Sequence, residues 1–329
     1  MKNLRSGTRL LALSFGFYFL FVLVASAQRG SVTRDERSAH RVMQGSRVPS
    51  PTAQVTRSLN LSFDTFDYPL AVGTEVRAIN DRGDTAGVYD DAAGARHGFF
   101  RTRRGELATI DVPHAISTRA NKLNNEQAIV GAYTDASGAI HGFLLIEKKF
   151  TLFDFPNSLQ TIGRGINDLG EVVGRVIDGN GIEHGYLRRN GIFTKLDFPD
   201  ALSTDAYAIT NFGDVTGDYE DASGNIHCFF LHHSNYLSID FPGASATGGC
   251  SLNARGEVAG EWDDAAGNAY HFLRRNGKFY TLELANFPDS VVESVNDLGQ
   301  FSGGYFDSDG TEHGFIGSLD DKDEEKSTQ

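Results

Sequence analysis

The stretch IDGNGIEHGYLRRNGIFTKLDFP, from Ile177 to Pro199, decides the fold. It returns with substitutions every 43 residues or so, from about residue 70 to residue 315. One glycine anchors every copy: Gly87, Gly131, Gly174, Gly217, Gly260 and Gly303, with spacings of 44, 43, 43, 43 and 43. A fixed period in this range marks stacked units sharing one continuous core. The third copy shows four short β signals. Thr161 to Ile166 runs into the turn Asn167-Asp168-Leu169-Gly170, and Glu171 to Ile177 into Asp178-Gly179-Asn180-Gly181. Glu183 to Arg188 then precedes Arg189-Asn190-Gly191, and Ile192 to Phe198 follows. Short runs joined by glycine-containing loops are hairpin-connected strands, and four per unit of this length make a propeller blade.

The ends agree with a ring. The sixth copy stops near Phe315 to Leu319, after its third strand, while Leu59 to Pro69 matches the fourth-strand segment Gly191 to Pro199. The expected fold is all-β. It is a six-bladed β-propeller of four-stranded antiparallel blades over residues 58–319, closed by the N-terminal strand at about residues 59–69. Closure hides the sheet edges that six open units would present.

Residues 1–27 read as a secretory signal peptide. Lys2, Arg5 and Arg9 precede an apolar run from Leu10 to Val24, and Ala25-Ser26-Ala27 is a small-x-small cleavage site. The run is shorter than the roughly 20 residues that span a bilayer. The expected location is therefore secreted or periplasmic, with no membrane span in the mature chain. Cleavage after Ala27 takes the formal charge from −13 to −16. That charge argues against nucleic acid and anionic membranes as partners. Residues 28–57 carry Arg29, Arg34, Arg37, Arg41, Arg47 and Arg57 without hydrophobic period and read as a flexible basic linker; Asp320 to Gln329 reads as an acidic, disordered tail. Cys228 and Cys250 are the two cysteines. An oxidising compartment allows one disulfide between them, and two buried free thiols are the other reading.

The phrases Tyr133-Thr134-Asp135-Ala136-Ser137-Gly138-Ala139-Ile140-His141-Gly142-Phe143 and Gly165-Ile166-Asn167-Asp168-Leu169-Gly170-Glu171-Val172-Val173-Gly174 resemble the HAF-type extracellular repeat of bacteria. The resemblance covers nearly the whole mature chain. It departs at His227-Cys228-Phe229 and at Tyr270-His271-Phe272. It implies a secreted bacterial repeat protein and no set chemistry.

What repeats most faithfully reads as scaffold. Asp91, Asp135, Asp178, Asp221, Asp264 and Asp307 each precede a glycine by three residues, the pattern of a turn. An EF-hand loop needs more ligands, and none of the copies has them. His97, His141, His184, His227 and His313 fall on third strands, too far from the axis to share a metal. A repeated hydrogen bond is the expectation for them, and no metal site is expected. The anchor glycines mark bulges or close approach. Tyr89, Tyr133, Tyr219, Trp262 and Tyr305 read as contacts between blades.

Function is expected where the copies differ, on the innermost strands. With strict alternation, Ile79, Leu123, Ile166, Ile209, Leu252 and Val295 share a face with Arg77, Asn121, Arg164, Tyr207, Cys250 and Glu293, and with Glu75, Arg119, Ile162, Asp205, Gly248 and Val291. The mouth is expected near Thr74, Thr118, Thr161, Thr204, Thr247 and Ser290. Arg77, Arg119, Arg164, Asn121 and Tyr207, with Glu75, Asp205 and Glu293 beside them, point to a glycan or another small anionic or hydroxylated ligand. No nucleophile motif of the G-x-S-x-G or H-E-x-x-H kind is present. The leading reading is a non-catalytic binding or surface-scaffold propeller that needs no cofactor. The alternative is a propeller hydrolase or lactonase with calcium at the central mouth, held by Glu75, Asn121, Asp205 and Glu293.

Overall fold

A computed structural model describes residues 55–284 and 290–319. The signal segment, the linker up to residue 54 and the acidic tail lie outside the described residues. Every regular element among the described residues is a strand. The first, β1, is Val55–Phe66, so strand begins three residues inside the segment read as linker. Blade 1 is Gly73–Ile79, Thr85–Asp90, Arg96–Arg101 and Leu107–Ile110 (β2–β5). Blade 2 is Ser117–Leu123, Ile129–Thr134, Ile140–Ile146 and Lys149–Phe153 (β6–β9). Blade 3 is Ser158–Ile166, Val172–Asp178, Glu183–Arg189 and Ile192–Leu196 (β10–β13). Blade 4 is Ser203–Ile209, Val215–Glu220, Ile226–His232 and Asn235–Ile239 (β14–β17). Blade 5 is Ala246–Leu252, Val258–Asp263, Ala269–Arg275 and Lys278–Glu283 (β18–β21). Blade 6 is Ser290–Val295, Gln300–Phe306 and Glu312–Leu319 (β22–β24), completed by β1.

The chain is thus an all-β propeller, and its N-terminal strand closes the ring as expected. Leu61 to Phe66 pairs antiparallel with β24, from Leu61↔Leu319 to Phe66↔Gly314. The upstream half of β1 does a second job. Ser58, Leu59 and Asn60 pair parallel with Thr281, Leu282 and Glu283 of β21, so one strand sutures blades 5 and 6 into a continuous eight-stranded sheet. A single parallel bridge, Gln160↔Ile140, joins blades 2 and 3 in the same way.

The core is a set of wedges between blades. Third-strand residues Phe99, Phe143, Tyr186, Phe229, Phe272 and Phe315 are all fully buried. Phe143 of blade 2, for example, packs with Ala78 and Ala86 of blade 1. Rings stack from blade to blade: Phe198 on Tyr219 at 3.6 Å, Phe241 on Trp262 at 4.2 Å, and Tyr68 on Tyr89 at 3.9 Å. The aromatics are the interblade contacts the repeats foretold.

The repeated histidine is a clamp within its blade. His97 Nδ1 meets Asp111 at 2.9 Å, its Nε2 meets Asp91 at 3.4 Å, and the ring lies on Tyr89 with centroids 5.0 Å apart. His141, His184 and His227 repeat the two aspartate contacts. In blade 6 the outer aspartate is Asp67, just beyond β1, 2.8 Å from His313 Nδ1. The turn aspartates accept backbone N–H groups, as Asp91 Oδ1 does from Ala93 at 2.8 Å and Ala95 at 2.9 Å.

Each inner strand carries one extra residue. In blade 1, Val76 faces Gly87 and Ala78 faces Ala86, so Arg77 is the extra residue of a bulge; every blade repeats this register shift. The bulge presses a carbonyl onto the anchor glycine. A Cβ on Gly174 would overlap the Ile162 carbonyl oxygen. Gly174→Ala is expected to destabilise the protein by about 3 kcal/mol or more in chemical denaturation, because a buried backbone overlap has no room to relax. An effect under about 1 kcal/mol would mean that this contact does not constrain the blade.

Candidate binding site at the inner strands

The bulge changes which way side chains point. A Cβ on Gly163 would strike Val130 of the preceding blade, whereas one on Gly165 would strike Tyr207 and Ala208 of the following blade. Two residues apart, these positions face opposite neighbours. The strict alternation that put the three inner-strand registers on one face is therefore corrected: an extra residue resets the pleat. The threonines are corrected too. Thr74, Thr118, Thr161, Thr204 and Thr247 do not open a mouth but are buried. Each Oγ1 accepts the N–H of the loop six residues upstream, as Thr118 does from Val112 at 3.0 Å and Thr204 from Phe198 at 3.0 Å.

The predicted site residues gather in the half of the ring where the inner strands begin, the leading half. They divide by charge. Arg77 pairs with Glu75 at 2.7 Å and donates to Asn121 Oδ1 at 3.1 Å; Asn121 in turn donates to the Gly163 carbonyl at 2.8 Å. Arg164 pairs with Asp205 at 2.9 Å and lies over the Tyr207 ring at 4.9 Å. Arg175, on the second strand of blade 3, pairs with Glu183 at 2.6 Å and stands 3.9 Å from Asp205. Arg119 meets no acceptor among the described residues. Burial lowers its pKa to about 10, and Arg77, Arg96, Arg164 and Arg175 push in the same direction.

Acids occupy the other arc. Burial pushes Asp218 up to about 7, Glu261 to about 8 and Glu293 to about 7, with neighbouring carboxylates adding to each. Burial, then Glu75, raises Glu312 to about 7. Glu75 itself lies lowered despite burial, because Arg77 stabilises its charge and Glu293 beside it adds in the same direction. The four calcium candidates do not converge. Glu75 and Glu293 meet, Asn121 is engaged by Arg77, and Asp205 lies in blade 4 under Arg164.

The opposite, trailing end of the axis is built differently. Asn80, Asn124, Asn167, Asn253 and Asn296 each donate Nδ2 to the carbonyl of the next blade at 2.9–3.1 Å, ending with Asn296 on Asn80. A second ring runs beside it, from the N–H of Asp81, Asn125, Asp168, Ala254 and Asp297 to an Asx oxygen of the next blade at 2.7–2.9 Å. Both rings break between blades 4 and 5, where Thr210 has no amide and Ala254 has no side-chain oxygen. There a disulfide joins Cys228 to Cys250, with Cα atoms 6.0 Å apart. Inside the rings lies a cavity of about 120 Å³, floored by the apolar register Ile79, Leu123, Ile166, Ile209, Leu252 and Val295.

Lys122, which the sequence reading passed over, spans the axis. From blade 2 it donates to Ser251 Oγ at 3.3 Å and to the Glu293 carbonyl at 3.0 Å, in blades 5 and 6. Its counterparts are Ala78, Gly165, Ala208, Ser251 and Ser294, so it is the one long side chain at that level. Burial lowers its amine to about 8. A lone lysine in an otherwise small-residue register was the signal available.

No family model matches this sequence, and no curated protein does. Solved structures do. TolB from Agrobacterium tumefaciens aligns with a TM-score of 0.54 at 13% identity, over 80% of this chain and 99% of that one. TolB from Acinetobacter baumannii aligns with a TM-score of 0.52 at 14% identity, over 71% of this chain; this chain spans 63% of that one. The Aleuria aurantia lectin, in complex with α-methyl-L-fucoside, aligns at 0.47 and 12% identity, over 78% of this chain and 96% of that one. At such identities the likeness is one of fold. No helix among the described residues is long and apolar enough to cross a membrane.

Stability is expected to fall as pH rises from about 4.5 to 8. The native state keeps protons on Asp218, Glu261, Glu293 and Glu312 that the unfolded chain has lost. His97, His141, His184 and His313, raised by their aspartates against burial, act with the same sign. His271, which burial holds at about 4, acts oppositely below pH 6.5. Lys122 restores stability only above about pH 8. Melting temperature against pH should therefore peak near pH 4.5, and Glu261→Gln should flatten the fall above it. A Tm that rises steadily to pH 8.5 would contradict these buried acids.

Proposed function

We propose that this chain is a secreted bacterial repeat protein of the HAF type, working as a non-catalytic binding propeller. Its ligand is a small anionic, hydroxylated molecule such as an acidic glycan, held on the arginine side of the leading half. The observation that carries this reading is Arg119. In a chain of formal charge −13, a half-buried guanidinium stands without a counter-charge among the described residues, hemmed by four more arginines. A desolvated cation costs stability, and proteins retain such costs where a ligand offsets them. Guanidinium groups bind carboxylates and phosphates in a planar, two-point manner. Tyr207 adds a ring face, and Asp205 and Glu75 add acceptors for hydroxyl groups. The pairing of Asn121 and Asp205 with arginines speaks against a calcium ion at this level. The export reading is supported by the signal-like residues 1–27.

Calorimetry with glucuronic and galacturonic acids, beside glucose and galactose, tests the proposal. The acids are expected to bind and the neutral sugars to bind at least tenfold more weakly, since a charge-assisted hydrogen bond is worth roughly 1.5–3 kcal/mol. Arg119→Gln is expected to lose about tenfold or more in affinity for the acids while raising Tm without ligand. Equal binding of neutral sugars, or unchanged affinity in Arg119→Gln, would overturn it.

A further inference from the structure

We propose that the junction of blades 4 and 5 is a metal site in its reduced form, with Cys228, Cys250 and Asp218 as ligands for a thiophilic divalent ion such as zinc. Cys228 occupies the third-strand position that is glycine in four other blades (Gly98, Gly142, Gly185, Gly314), and it points at the inner strand of the next blade, where Cys250 sits. Both cysteines are fully buried. One sulfur from each and a carboxylate oxygen of Asp218 all lie within 4.8 Å of one another, the one such grouping of three among the described residues. The Asp218 carboxylate is already arranged as a ligand would be. Its Oδ2 accepts the Gly249 N–H at 3.0 Å, which leaves Oδ1 turned to Cys228 Sγ at 3.6 Å. A tetrahedral ion with Zn–S of about 2.3 Å and Zn–O of about 2.1 Å places sulfur and oxygen about 3.6 Å apart.

The surroundings explain why a clamp is placed here. At the other five junctions two axial hydrogen bonds tie each blade to the next. At this one both are missing, and the polar contacts gather around the cysteines instead: Thr216 Oγ1 to the Cys250 carbonyl at 2.8 Å, and Gly249 N–H to Asp218. In the oxidised chain the S–S bond joins the blades. Two-electron reduction by a phosphine breaks that bond: the phosphorus is oxidised to the phosphine oxide, and one water supplies its oxygen and the hydrogens of the two thiols. The ion then forms two metal–sulfur bonds and one metal–oxygen bond, and both thiol protons, with any proton held by the Asp218 carboxyl, pass to solvent. A water completes four-coordination, as in three-ligand zinc sites.

The test uses the full chain, reduced without oxygen by a water-soluble phosphine and desalted. Titration with Co²⁺ should give one equivalent of binding with a thiolate-to-cobalt charge-transfer band in the near ultraviolet. Zinc should displace the cobalt and raise the Tm of the reduced protein. The oxidised protein should show no band. Asp218→Asn should weaken Co²⁺ by about tenfold or more. Absence of the band in the reduced chain, or equal uptake by the oxidised chain or by reduced Cys228→Ser, would overturn the proposal. Where reduction unfolds the chain, zinc must restore the native near-ultraviolet circular dichroism; failure to do so overturns it as well.

Discussion

The contact on which the other features depend is a carbonyl oxygen lying where a side chain would be. In all six blades the inner strand bulges, and in five of them the carbonyl two residues before the extra residue is driven onto the anchor glycine so closely that a Cβ would overlap it; at Gly260 the fit is looser. The 43-residue period is the trace of that contact. The bulge also turns the following residue toward the next blade, which lets blades interlock and lets Lys122 reach across the axis. Removing the extra residue would return both registers to one face and leave the axis unlined.

The two ends of the axis follow different rules as a result. Beyond the bulge, short Asn and Asp side chains bond from blade to blade at five of the six junctions, each donor finding its acceptor one unit away. Repetition there serves closure. Before the bulge, charged residues differ from blade to blade, with arginines in blades 1 to 3 and, in blades 4 to 6, acids whose pKa burial raises. A ring can tolerate such asymmetry on its inside, because the hydrogen-bonded ladders and the aromatic wedges already hold each blade.

The fold was legible because its signals are local and recur six times: turn aspartates, glycines at one spacing, an orphan fourth strand at the N-terminus. The histidines, too, could be separated from metal chemistry by distance alone. Membership of the inner-strand cluster was legible, since Arg77, Arg119, Arg164, Asp205 and Tyr207 do gather in one half of the ring. Their mutual orientation was not. A bulge leaves no mark in the sequence beyond the anchor glycine, so alternation placed three registers on one face. Thr74 and its counterparts look like any exposed strand start until the loop N–H that each accepts is seen. Lys122 matters only through partners 129 and 171 residues away, which no local pattern reports. The disulfide stood open for the same reason, because the approach of blades 4 and 5 is a property of the ring.

β1 has a consequence for the order in which the molecule is made. It is synthesised before any blade, yet its partners are β21 and β24, and its neighbour Asp67 must find His313, 246 residues downstream. Until those arrive, the strand is an unpaired edge carried ahead of the growing chain, a state that invites pairing with other chains. The last step of assembly is therefore a capture at the longest sequence separation available, the slowest kind of contact to form. Once made, it ties together the first and last strands of the propeller, so a chain released before β24 folds has β1 still uncovered.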